Sequence, residues 1–200
     1  MPKKTFSELA ADIRERPCSQ PLRLVAVDGG AGAGKTTFAA HLARAVGAPV
    51  VQMDDFISLD DLEHWWARLE TEVLAPLFQG KGCRYQIRDW VGDLHGRGLL
   101  QEWKELSPGP FVILEGVGAS RRALGERLHY SVWIDAPAPL RIQRGLERDA
   151  EVEGSLEIWA TWMPKEAAFH LQDGARSRAD LRVDGSVPYE GEDLCFEMIE

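Results

Sequence analysis

Short unbroken apolar runs alternate along this chain with segments in which apolar residues return every third or fourth position. Residues 21–27 (PLRLVAV) contain one such run, rich in aliphatic and β-branched side chains, and read as a buried strand. In 36–46 (TTFAAHLARAV), Phe38, Leu42 and Val46 share one face of a helix that Gly47 and Pro49 stop. Residues 50–53 make a second short strand. From 60 to 78 apolar residues recur at Leu62, Trp65, Trp66, Leu69, Val73 and Leu77, a helix capped by Ser58 or Asp60. Cys83, Tyr85 and Ile87 then alternate with Arg84, Gln86 and Arg88, as in a half-exposed strand, with 101–106 as its hairpin partner. A turn signal at PGP precedes a buried strand over 111–114, and another strand covers 130–135 (YSVWID). The prolines of APAPLRIQRGLERD open a helix. A further helix spans 156–172, kinked or divided at Pro164, and 180–184 (DLRVD) is a last strand.

Strands and helices in alternation predict an α/β fold: a mostly parallel five-stranded sheet, helices on both faces, three layers in all. No repeat or linker interrupts the pattern, so residues 1–200 read as a single domain. The composition narrows the partners. With 32 acidic against 23 basic residues the net charge is −9, which disfavours DNA, RNA and anionic membrane surfaces. The start MPKKTFSELA lacks the apolar core of a signal peptide, and no apolar run reaches membrane-spanning length. Cys18, Cys83 and Cys195 fit neither a disulfide framework nor a zinc spacing, which suits reduced thiols and a cytoplasmic location. His41, His64, His95, His129 and His170 make no metal spacing, and Trp65, Trp66, Trp159 and Trp162 read as packing. Homo-oligomerisation is left open.

One stretch does not fit a packing role. Asp28 to Phe38 reads DGGAGAGKTTF, with Gly29, Gly30, Gly32 and Gly34 followed at once by Lys35, Thr36 and Thr37. Between a strand and a helix, Gly29-x-x-x-x-Gly34-Lys35-Thr36 matches the phosphate-binding loop G-x-x-x-x-G-K-[ST] at every fixed position. Backbone N–H groups from Gly29, Gly30, Ala31, Gly32, Ala33 and Gly34 can then turn inward around a polyphosphate without a Cβ in the way. The helix after the loop points its positive end at the same anion. Lys35 supplies a cation to the β and γ phosphates, and the Thr36 hydroxyl a ligand for Mg²⁺, so ATP and Mg²⁺ are the expected cofactors. The next strand ends in Asp54 and Asp55, at the sheet edge where ligands of open α/β sheets bind. Neighbouring side chains of a strand diverge, so only one of the two can face the γ phosphate.

DGGAGAGKTTFAAHLA, MDDF and VILEG, followed by a strand and an arginine-bearing helix, resemble the uridine kinase-like group of P-loop kinases, which includes relatives of phosphoribulokinase and bacterial pantothenate kinase. The resemblance implies a small-molecule kinase. Asp54 is the expected catalytic base and a Mg²⁺ partner, Asp55 the variable middle residue of an Asp-x-Phe element, and Glu115 the acid supporting the metal. Arg141, Arg144 and Arg148 share a helix face that would close as a lid over the phosphates. Arg144 is grouped with Lys35 and Asp54 as catalytic and the other two with the nucleotide, but no sequence feature selects among the three. A hairpin between the second helix and the central strand would hold the acceptor, with Asp55, Tyr85, Arg88, Asp89 and Trp90 as candidates. Ile57 follows Phe56 where that group carries a tyrosine, and the acceptor stays open among a nucleoside, a nucleoside monophosphate served by Arg84, Arg88 and Arg97, a pantothenate-like compound and a sugar. A nucleotide-dependent switch is the alternative of another class, although no Asn-Lys-x-Asp guanine-reading motif is present.

Overall fold

Apolar residues that alternate along the central strands bury both faces of one sheet, and that sheet organises the chain. A computed structural model describes residues 1–57, 65–90, 99–189, 191 and 194–199. Five parallel strands, β2 (Arg23–Gly29), β3 (Val50–Gln52), β6 (Phe111–Glu115), β7 (Leu128–Asp135) and β8 (Leu181–Asp184), stand in the order β3-β6-β2-β7-β8. Leu24, Ala26, Val51, Val112 and Leu114 face one side, where Leu69, Val73, Leu74 and Trp162 cover them. Val25, Val27, Ile113, Val132, Ile134 and Val183 face the other, against Phe6, Leu9, Phe38 and Leu42. The predicted three-layer α/β arrangement is therefore the one observed.

Helices supply the outer layers. On the second face lie α1 (Phe6–Glu15) and α2 (Lys35–Val46). α1 starts at a Thr5–Glu8 capping box, and the short pair β1 (Lys3–Thr5) and β9 (Cys195–Glu197) closes beside it. None of these three elements was anticipated from the apolar pattern. On the first face α3 (Trp66–Leu69), a π turn (Glu70–Leu74) and α4 (Ala75–Phe78) follow one another directly. The anticipated start of that helix, with Ser58, Asp60 and Leu62, lies outside the described residues, as do His64, His95 and Arg97.

The hairpin expected to hold the acceptor forms from β4 (Cys83–Arg88) against β5 (Leu99–Leu106), antiparallel. After β7 come α5 (Ala138–Arg148), α6 (Ser155–Asp173) and the one-turn α7 (Ala175–Arg178). α6 runs through Pro164 without dividing. Trp65, Trp159 and Trp162 are buried, as their packing role requires. All three cysteines are free thiols, and no described helix is long and apolar enough to cross a membrane.

Candidate active site

Parallel register sets the site. Gln52, Glu115, Val27 and Val132 lie in one row across four strands, so the residues that follow them emerge together at the carboxyl edge. The glycine-rich turn leaves this edge between β2 and α2. Gly29 (φ 143°) leaves no room for a side chain, since a Cβ would come within 2.4 Å of the Ile134 carbonyl oxygen. Gly32 (φ 76°) packs equally hard, with a Cβ position 2.3 Å from the Arg141 carbonyl. α2 begins without any side-chain cap, leaving its first N–H groups and the positive end of the helix to an anion. Lys35 is buried, and its Nζ folds back on the loop to donate to the Gly30 carbonyl at 2.9 Å. The Thr36 hydroxyl donates to Glu115 Oε1 at 3.2 Å.

The paired aspartates diverge, but through a 3-10 turn rather than by the strand alternation expected. Asp54 and Asp55 sit in a 3-10 turn, 53–55, directly after β3. Asp55 turns away into the hairpin, where both its carboxylate oxygens accept from Lys104 Nζ, at 3.0 and 2.8 Å, and Oδ2 also accepts the Tyr85 hydroxyl at 3.2 Å. Asp54 remains exposed and takes the field of Lys35 and Arg148. Crowding protein atoms push its carboxyl above the usual aspartate value, a rise that those two cations oppose. Water still reaches the side chain, so the dehydration is partial. Glu115 is likewise pushed up by burial, against the pull of Lys35.

Oxygen donors of the type Mg²⁺ prefers thus stand together: Thr36 with Glu115, and Asp54 close enough for its charge to raise the Glu115 carboxyl. Among the described residues no group of three His, Cys, Asp or Glu side chains could hold a metal alone. Mg²⁺ takes one or two protein carboxylates and completes its shell with water and substrate phosphate.

The three lid arginines share a helix but go to different places. Arg141 Nη1 reaches the loop, donating to the Ala31 carbonyl at 3.2 Å and to Glu166 at 2.7 Å. Arg144 Nη1 donates to the Gly185 carbonyl at 2.8 Å, at the turn after β8. Arg148 pairs with its neighbour Asp149 and is the arginine whose charge acts on Asp54. Of the three arginines, Arg148 is thus the one whose charge bears on the Asp54 carboxyl.

The acceptor candidates also separate. Tyr85 is core, 1% exposed, with its ring 5.0 Å from that of Phe56, so it offers no face to a ligand. Arg88 is buried as well. Trp90 is half-buried and donates its indole N–H to the Asp54 carbonyl at 2.6 Å, which leaves an aromatic ring beside the turn that carries Asp54. Asp89 is half-buried next to it. Thr37, on the first turn of α2, is exposed.

Four residues of the site escaped the sequence reading. Asp28, 0% exposed, accepts N–H groups from Gly29, Gly118 and Ser120 and the Ser120 hydroxyl, at 2.7 to 3.0 Å, and so ties the loop to the turn after β6. Lys104 neutralises Asp55. Arg68 donates to the Asp55 and Gln86 carbonyls and to Glu72. Glu166, on α6, accepts from the loop itself. Only Asp28 carried a signal, as an acid ending an otherwise apolar strand.

No family model matches the chain. Its sequence is 29% identical over 147 residues to a uridine kinase of Deinococcus deserti, covering 66% of this chain and 70% of that protein. A uridine kinase of Brevibacillus brevis is 28% identical over 149 residues, with 66% and 68% covered. Among solved structures, that of a possible uridine kinase from Bacillus stearothermophilus superposes with a TM-score of 0.61 at 20% identity, covering 88% of this chain and 96% of its own. This last likeness is one of fold.

Proposed function

Taking as premise that this chain is a P-loop kinase of uridine kinase-like type, we propose that it moves the γ phosphate of Mg-ATP to the hydroxyl of a nucleoside. One observation carries the reading. The two adjacent aspartates are sorted by the fold, Asp55 neutralised by Lys104 and Asp54 left open beside Lys35 and Arg148.

Asp54 would accept a hydrogen bond from the acceptor hydroxyl and take its proton as the oxygen attacks phosphorus. A carboxyl held above its usual value is a stronger base than a free aspartate once ionised. The loop amides and Lys35 would hold the β and γ phosphates, with Lys35 leaving the Gly30 carbonyl for phosphate oxygen. Mg²⁺, held through Thr36 and Glu115 with Asp54 near, would neutralise charge on the β and γ phosphates. Arg148, carried by the lid helix, would compensate the charge spreading over the transferring group. Trp90, hydrogen-bonded to the Asp54 carbonyl, would stack on an acceptor base, and together with the relatives this supports a nucleoside over a sugar or a pantothenate-like compound.

Asp54→Asn tests the assignment. Turnover with uridine or cytidine should fall by roughly 10²–10⁴ while Mg-ATP still binds, as loss of a general base predicts. Unchanged turnover removes Asp54 from that role. A wild-type chain that binds Mg-ATP yet phosphorylates neither nucleoside, nucleotide nor sugar would favour the switch instead.

A further inference from the structure

Glu166 stands 135 residues from the loop it touches and is 1% exposed. Its Oε2 accepts the Ala31 N–H at 2.7 Å and the Trp162 indole N–H at 2.9 Å. Its Oε1 accepts Arg141 Nη1 at 2.7 Å, and the same nitrogen donates to the Ala31 carbonyl at 3.2 Å. Both polar backbone groups of Ala31 are therefore held by the lid helices, the N–H by α6 and the carbonyl by α5. The guanidinium lies against the loop so closely that a Cβ on Gly30 would fall 1.6 Å from Nη1. A cleft of about 180 Å³ whose lining includes Gly30, Asp135, Arg141, Glu166 and His170 lies on this side of the loop.

Resting on the nucleotide-site reading above, we propose that Glu166 is a positioning residue for nucleotide binding, one that fixes the Ala31 peptide and Arg141 so that the following amides face the polyphosphate before it arrives. The opposite role, a carboxylate occupying the loop until phosphate displaces it, fits the surroundings poorly. Trp162, one turn earlier on the same helix, holds Glu166 inward, and a buried carboxylate that lost Arg141 would be left without its cation. Burial pushes this carboxyl up, but the Ala31 N–H and Arg141 outweigh burial and leave it below the ordinary glutamate value. It is an anion built into the scaffold.

Glu166→Gln keeps the shape but turns an NH₂ group toward either Ala31 N–H or Arg141, setting donor against donor. Titration of the full chain should show Kd for Mg-ATP and Mg-ADP raised about tenfold or more, with KM for the acceptor hydroxyl compound changed less than about twofold. General loss of packing would move both. Arg141→Lys should weaken nucleotide binding similarly, and the double variant should be little worse than the weaker single one, since both break one clamp. Nucleotide affinity within about twofold of wild type in Glu166→Gln, tighter binding, or additive effects in the double variant would each overturn the proposal. If Glu166→Gln does not fold, Arg141→Lys alone is read by the same split. Wild-type chain that binds neither Mg-ATP nor Mg-ADP would instead remove the nucleotide reading beneath it.

Discussion

Replacing Asp28 by Asn makes the smallest change that tests how the loop is held. In the wild type Oδ1 accepts Gly29 N–H at 2.7 Å and Gly118 N–H at 3.0 Å, while Oδ2 accepts Ser120 N–H at 2.9 Å and the Ser120 hydroxyl at 2.7 Å. An asparagine oxygen in the Oδ1 place keeps the first two bonds. Its NH₂ group then meets the Ser120 N–H, and only the hydroxyl can turn to accept. One buried backbone donor is orphaned, at about 1–3 kcal/mol, and the retained bonds lose their charged acceptor, at about 1 kcal/mol. Easier dehydration of the neutral amide returns part of this. The net loss should be about 1–3 kcal/mol, or roughly 2–12 °C in Tm for a chain of this length. Urea unfolding followed by tryptophan fluorescence, with Trp133 on β7 near the site, measures it directly. A midpoint within about 0.5 kcal/mol of wild type at unchanged slope would show that Asp28 does not hold these two turns together.

Further outcomes concern pH and the lid. The base role requires ionised Asp54, and partial dehydration raises its carboxyl, so kcat/KM should fall as pH drops through a value above that of a free aspartate, and Asp54→Asn should lose this limb. The same rise means that the native state holds the Asp54 proton more tightly than the unfolded chain. Charged Asp54 therefore costs stability above the raised value, a cost that fades as pH falls, and Asp54→Asn should unfold no earlier than wild type at neutral pH. Calorimetry showing a marked loss there would contradict the dehydration. Gly145→Ala places a Cβ 1.8 Å from Trp159 Cζ2, where α5 crosses α6. Overpacking should lower stability by about 1–3 kcal/mol, against the roughly 0.5–1 kcal/mol that replacing a mid-helix glycine normally returns, and a gain in Tm would rule out so close a crossing.

Local chemistry made much of this protein legible along the chain. The apolar pattern marked all five sheet strands, two of them (21–27 and 111–114) as buried runs, and set helices between them, because a strand covered on both faces must be largely apolar. The phosphate loop was readable because its function resides in backbone amides, glycines and one lysine that are neighbours in sequence. Missed were α1, although its Thr5–Glu8 capping box is a local signal, and the β1–β9 pair, which depends on contact between the two ends of the chain. The site's supports were hidden for the same reason. Asp28 meets Ser120 across 92 residues, Lys104 meets Asp55 across 49, and Glu166 meets Ala31 across 135. Which of Asp54 and Asp55 stays free of an ion pair, which arginine's charge bears on Asp54, and that Tyr85 is core were likewise decided by packing. By itself the sequence determined the sheet, the loop and the class of chemistry, since these follow from short-range pattern. Only the tertiary structure decided which charges are neutralised and which remain available, because a charged side chain's role depends on partners brought beside it by the fold.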